Sequence, residues 1–137
     1  MRVRVYYNLN RAVWSIKAME GEHKGRVIGY ASSVTLRNAH TVVSEASRQR
    51  VLREQRKNVH AYIDGELVAL GGEYEERLTT PAESNIAHFP SQFEGLYYNP
   101  YRVSHFVWGA TGESTKGQIL PEVYLNMARK VQAVRPN

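Results

Sequence analysis

Residues 44–65 read SEASRQRVLREQRKNVHAYIDG, a basic helical pattern that runs without glycine or proline straight into an alternating strand pattern. Ser44 stands at an N-cap position and Glu45 meets the positive end of the helix dipole, so the spacing predicts a helix over residues 45–57. Beyond it, Val59, Ala61 and Ile63 share one face of a strand, and Asn58, His60 and Tyr62 the other. The first face reads as core and the second as a polar wall. Asp64-Gly65 then has the composition of a hairpin turn, leading into a further strand over residues 67–70.

Strand signals dominate on the N-terminal side. Arg2, Arg4 and Tyr6 alternate with Val3, Val5 and Tyr7, and after a turn at residues 8–10 a second extended run carries Val13, Trp14 and Ile16. That is the pattern of an opening hairpin. The glycine-bounded segment EGEHKG, residues 20–25, predicts a turn into a third strand through Val27, Ile28 and Tyr30. Val34, Leu36 and residues 41–43 offer further extended pieces. One helix among strands joined by short turns is the signature of an α+β domain built on an antiparallel sheet.

The C-terminal half is less regular. Residues 71–95 lose all periodicity, and a structureless run this long inside a compact domain is usually either functional or mobile. Aromatic residues crowd its end and the next dozen positions: Phe89, Phe93, Tyr97, Tyr98, Tyr101, Phe106 and Trp108. Such a density calls for a core to pack on, or for a base to stack against, with Asn99 able to read its edge. Over residues 119–134, Leu120, Val123, Tyr124, Met127, Ala128 and Val131 form a helical stripe with Pro121 in the first turn, which favours a C-terminal helix. The alternation of Val123, Leu125 and Met127 would equally suit a strand.

A length of 137 residues is that of a single domain, residues 1–137, able to bury roughly two-thirds of its unfolded surface. The chain has no cysteine, which excludes disulfides, thiolate metal sites and thiol catalysis. The N-terminus lacks the apolar stretch of a secretory signal, and no run approaches the twenty apolar residues of a membrane span. The five histidines are scattered, without HExxH or any pair at helical spacing, so neither a metal site nor a cofactor is expected. Glycine-rich phosphate loops and the nucleophile elbow are absent as well. Nothing in the motifs asks for an enzyme.

Charge does ask for a partner. The net charge is +5 and the isoelectric point near 9.6. Arg48, Arg50, Arg53, Arg56 and Lys57 stand against only Glu45 and Glu54, so the predicted helix concentrates most of the excess. At about 100° per residue, Arg50, Arg53 and Lys57 make an outer face, Arg56 flanks it, and Arg48 lies beside Val51 and Leu52 on the inner side. Arginine outnumbers lysine here, and its planar fork of donors suits phosphate oxygens. A solvated helix capping the sheet is the plainer alternative.

Three stretches together, SEASRQRVLREQRKNVHAYIDG, the opening VRVYYNLNRAVWSI and the later YYNPYRVSHFVW, resemble the phage anti-Thoeris signal-sponge family. The resemblance is clearest over residues 1–70 and 97–108. It implies a non-catalytic protein of the host bacterial cytoplasm that captures a cyclic ADP-ribose isomer made by a TIR-domain sensor. It further implies homo-oligomers, dimers or hexamers, and in some members a second site for cyclic di- or trinucleotides. On that account Arg48, Arg50, Arg53 and Arg56 would hold phosphates, Asn58 and His60 would form the polar wall, Phe89 would stack on the base, and Asn99 would bind base or ribose. Two other readings stand beside it: a small RNA- or DNA-binding accessory protein, and an inhibitor that sets the basic helix against an acidic partner surface.

Overall fold

A computed structural model describes residues 1–8, 11–54, 61–76, 93–97, 106–126 and 131–136; for residues 47, 48, 51 and 72–76 it describes the backbone alone. In chain order the described elements are β1 (Arg2–Asn8), β2 (Val13–Ala18), β3 (Val27–Val43), α1 (Glu45–Glu54), β4 (Ala61–Glu76), β5 (Phe93–Tyr97), β6 (Val107–Trp108), β7 (Leu120–Leu125) and β8 (Val131–Val134). The strands form one antiparallel sheet in the order β2-β1-β4-β3-β7-β8-β5-β6, with a further β2–β3 pairing that closes β2, β1, β4 and β3 into a ring. The expected α+β class, an antiparallel sheet with one short basic helix, is what the described residues adopt.

The opening hairpin forms as its alternation predicts. β1 pairs with β2 from Val3↔Ala18 to Asn8↔Val13, with Val3, Val5, Trp14, Ile16 and Ala18 buried. The EGEHKG turn also forms, and its glycines Gly21 and Gly25 take φ values of 81° and 87°, a region closed to most side chains.

Two expectations fail, and both fail at long-range pairings. The first is the hairpin at Asp64-Gly65. β4 runs unbroken through this point and pairs with β3 from Val43↔Ala61 to Gly29↔Glu76. Three irregularities bend the pair: β4 carries an extra residue near 72 and again near 68, and β3 carries one between Arg37 and His40, where Asn38 has a φ of 50°. That last bulge shifts the buried phase of β3 from Val34 and Leu36 to Ala39. Gly65 faces it, and a Cβ there would come within 3.0 Å of the Ala39 Cβ and 3.2 Å of the Leu36 Cβ. The glycine serves a close approach between strands.

The second is the C-terminal helix over residues 119–134, whose described residues form strands. β7 pairs with β3 from Val34↔Leu125 to Ala39↔Leu120, and β8 with β7 and β5. The cause lies in β3. One edge of β3 pairs with β4, and β2 covers the other edge only as far as Ala31. The backbone groups beyond need partners, and β7 supplies them. Pro121, which cannot donate to a ladder, falls opposite the bulged stretch at Asn38. The alternative alternation of Val123 and Leu125, both fully buried, is the one realised.

Trp14 fastens the junction where β2 and β7 meet end to end along β3: it is nearly buried, and its indole Nε1–H donates to the Asn126 carbonyl at 2.9 Å. At the far end of the sheet Trp108 is fully buried, donates to Gln118 Oε1 and lies under Arg135, whose guanidinium carbon is 4.5 Å from the ring centroid. Arg135 also forks Glu94 through Nη2 at 2.7 Å and Nε at 3.1 Å, which holds that carboxyl below the ordinary glutamate range. Phe106 is buried beside these, whereas Tyr97 is exposed. Part of the aromatic crowding is therefore core. Phe89, Tyr98, Asn99 and Tyr101 lie outside the described residues, and of residues 71–95 the ends belong to β4 and β5.

These contacts set two stability outcomes. Gly65→Ala is expected to lower the unfolding free energy by about 1–3 kcal/mol through overpacking, whereas Gly95→Ala, with nothing within 4 Å of its added methyl, should leave it within about 0.5 kcal/mol. Equal urea midpoints for the two would refute the close approach. Trp14→Phe should cost about 2 kcal/mol by removing the hydrogen bond to the Asn126 carbonyl and thinning the junction, measured by denaturation followed in circular dichroism.

Candidate functional site

The basic helix leaves the sheet where its longest pair of strands ends. Val43 closes β3 opposite Ala61, the first residue of β4, and α1 is inserted between them. Glu45 in the first turn and Arg53 in the last both complement the dipole, and Gln49 donates to Glu45 one turn back at 3.2 Å. Among the described side chains of α1, Leu52 is half-buried and Ala46, Gln49, Arg50, Arg53 and Glu54 are exposed. The helix thus presents Arg50 and Arg53 to solvent.

Of the residues expected to bind a ligand, Arg50 and Arg53 lie on this exposed face. Arg48 belongs to α1 by its backbone, with its side chain outside the description. Arg56, Asn58, His60, Phe89 and Asn99 all lie outside the described residues, so the structure neither gathers nor separates them. The helix is described through Glu54 of the expected 45–57.

Next to the base of α1, the outer face of the ring carries polar and aromatic side chains in cross-strand rows. The register Lys17↔Arg4↔Asp64↔His40 sets one row across β2, β1, β4 and β3. The neighbouring row, one side-chain repeat closer to α1, holds Ser15, Tyr6, Tyr62 and Val42, and the row on the far side holds Arg2, Glu66 and Arg37. Their partners of opposite parity, Val3, Val5, Ala61 and Ile63, are buried beneath.

This face is held rigidly. Arg4 donates to both oxygens of Asp64, from Nε at 2.7 Å and from Nη2 at 2.9 Å, and its guanidinium carbon lies 5.3 Å from the centre of the Tyr62 ring. The bond to Asp64 raises the arginine's pKa against the opposing effect of partial burial. His40 Nε2 stands 3.8 Å from the same carboxylate. Tyr6 meets Tyr62 edge to face, with centroids 5.9 Å apart and planes at 90°. Thr115 adds a clamp at the adjoining stretch of β3: its hydroxyl donates to the Phe106 carbonyl at 3.0 Å, and so accepts from Thr41 at 2.7 Å.

The sequence contained half of this arrangement. Alternation put Arg4 and Tyr6 on one face of β1 and Tyr62 on the outer face of β4. Nothing local said that β1 and β4 are neighbours, or that Asp64 lies in a strand and not a turn. Among the described residues no group of three or more His, Asp or Glu side chains is placed to hold a metal ion, and no helix is long and apolar enough to cross a membrane.

Comparison with known proteins places the chain in a family. The family model described as "Mycobacterium phage L5 gene 82 protein" matches residues 1–133. The gene 82 protein of Mycobacterium phage L5 is 39% identical over 119 residues, covering 81% of this chain and 80% of that protein. No solved structure matches. The phage character implied by the resemblance to signal sponges agrees with these matches, and the family they identify is a different one by name. With the family model spanning nearly the whole chain, the protein belongs to the Mycobacterium phage L5 gene 82 protein family.

Proposed function

We propose that this phage protein binds a phosphate-bearing nucleotide through the arginine face of α1 and holds it intact. The observation that carries the reading is the exposure of Arg50 and Arg53 on one face of α1. Among the described residues neither arginine is committed to an ion pair. Two guanidiniums about one turn apart on a helix can bracket a phosphate or pyrophosphate, each with a planar pair of donors.

Within this class the resemblance to signal sponges supports a ligand of the cyclic ADP-ribose type, sequestered in the host cytoplasm to silence TIR-dependent immunity. Sequestration below the threshold of an immune effector needs nanomolar affinity, about −12 kcal/mol. Each charge-assisted bond contributes about 1.5–3 kcal/mol, so the exposed arginines alone fall short. The proposal therefore includes enclosure of the ligand between copies of the chain, with Phe89 and Asn99 contacting the base as the resemblance implies.

The test is to mix purified protein with the product of an active TIR enzyme, filter, heat-denature the retained protein and chromatograph what is released. A sponge depletes the filtrate and returns the unaltered cyclic nucleotide near one per site. Arg50→Gln with Arg53→Gln is expected to weaken retention by about 10- to 100-fold while leaving the unfolding midpoint in place, since both side chains are exposed. No depletion by the unmodified protein sinks the reading, and an altered product replaces it with catalysis.

A further inference from the structure

We propose that the outer face of β1 and β4 is a binding site in its own right, for single-stranded nucleic acid stacked on Tyr6 and Tyr62. The site is formed without the arginines of α1, which lie in line with it and would extend the path of a longer strand. Three observations carry it.

The first is the pair of rings. Tyr6 and Tyr62 are half-exposed at neighbouring positions of paired strands, and their perpendicular contact with Arg4 alongside fixes both before any ligand arrives. Half-exposed aromatic rings on a sheet accept any base by its π-face, and rings that are already ordered lose little entropy on binding. A role in the core does not account for them, because Val5, Ala61 and Ile63 on the opposite face of the same strands already supply it.

The second is the row of nitrogen-bearing side chains beside the rings. Lys17, Arg4 and His40 lie across three strands one side-chain repeat away, a separation of about 7 Å, comparable to the reach from a base to the phosphate of its own nucleotide. Asp64 sits among them but spends both oxygens on Arg4. Lys17 flanks that neutralised pair on one side with a positive charge, and His40 on the other side offers a ring N–H that can donate to a phosphate oxygen.

The third is what lies in line with the face. α1 rises from the end of the sheet nearest the tyrosine row, since Val42 of that row directly precedes Val43, the last residue of β3. A strand of several nucleotides leaving the rings in that direction runs toward exposed arginines. Charge complementarity and ring geometry together favour a flexible polyanion with unpaired bases over duplex DNA, whose bases are not free to stack, and over an acidic protein surface, which has no use for the rings.

The test is fluorescence anisotropy with a labelled twelve-nucleotide oligo(dT), an oligo(rU) of the same length and an abasic phosphodiester of equal charge. The oligonucleotides are expected to bind with a salt-dependent affinity and the abasic chain at least tenfold more weakly. Tyr6→Ala should weaken oligonucleotide binding by about 5- to 100-fold, Tyr6→Phe should retain it, and Lys17→Gln should lower the salt slope by about 1. Thermal unfolding of each variant separates lost binding from lost structure, and Lys17→Gln keeps the proposal open to refutation where Tyr6→Ala fails to fold. Equal affinity for the abasic chain, or binding untouched by Tyr6→Ala and abolished by Arg50→Gln with Arg53→Gln, would overturn the sheet site and leave an electrostatic site on α1. Failure of the oligonucleotides to bind at all would also overturn it, without bearing on retention of a cyclic nucleotide.

Discussion

The paired strands β3 and β4 are the constraint on which the rest of the structure depends. They are the longest elements of the described chain, and together they offer two outer edges of unpaired backbone groups that burial forbids leaving empty. β1 takes the outer edge of β4, while β2 and β7 share the outer edge of β3 end to end. Because the pair is bent by three bulges, β2 can reach both β1 and β3, and a sheet that would otherwise lie open curls into a ring. The Gly65 contact with Ala39 and Leu36 sits at one of these bends, and Trp14 seals the seam where β2 gives way to β7.

The same bend creates the two surfaces with chemical character. It orders the outer face of β1 and β4, where rows of side chains from successive strands come into register, and the end of the pair carries α1 with Arg50 and Arg53 exposed. An ion pair such as Arg4 with Asp64 contributes little when freely exposed. Half-buried and joined by two hydrogen bonds, it orients a guanidinium against an aromatic ring, and the ring against a second ring. Geometry is what this pair supplies to the face.

Much of this was legible before any fold was known. The period-2 pattern of β1 and β2, the glycines of the 20–25 turn, and the cap and charge of α1 are local signals, and each produced the element it announced. The basic surplus of α1 and the arginine-rich face with Arg50 and Arg53 were readable from residue type and helical phase alone. Local pattern points the wrong way at Asp64-Gly65 and over residues 119–134. Asp-Gly is the commonest hairpin signal, yet here the glycine answers to Ala39, some 26 positions earlier in the chain. A stripe of Leu120, Val123 and Val131 fits a helix as well as a strand, and only the vacant edge of β3 decides between them.

The sequence by itself determined the class of the protein: a cysteine-free, basic chain of alternating strands with one arginine-bearing helix, because composition, periodicity and capping act within a few residues of one another. The tertiary structure alone decided which strands are neighbours, and with that whether a glycine makes a turn or a close approach. It also decided that Arg4, Tyr6, Tyr62, Asp64 and His40, drawn from three separate strands, form one surface. The physical reason is that strand pairing is satisfied by backbone groups common to every residue, so partner choice is settled by burial, bulges and open edges across the whole sheet rather than by any local pattern.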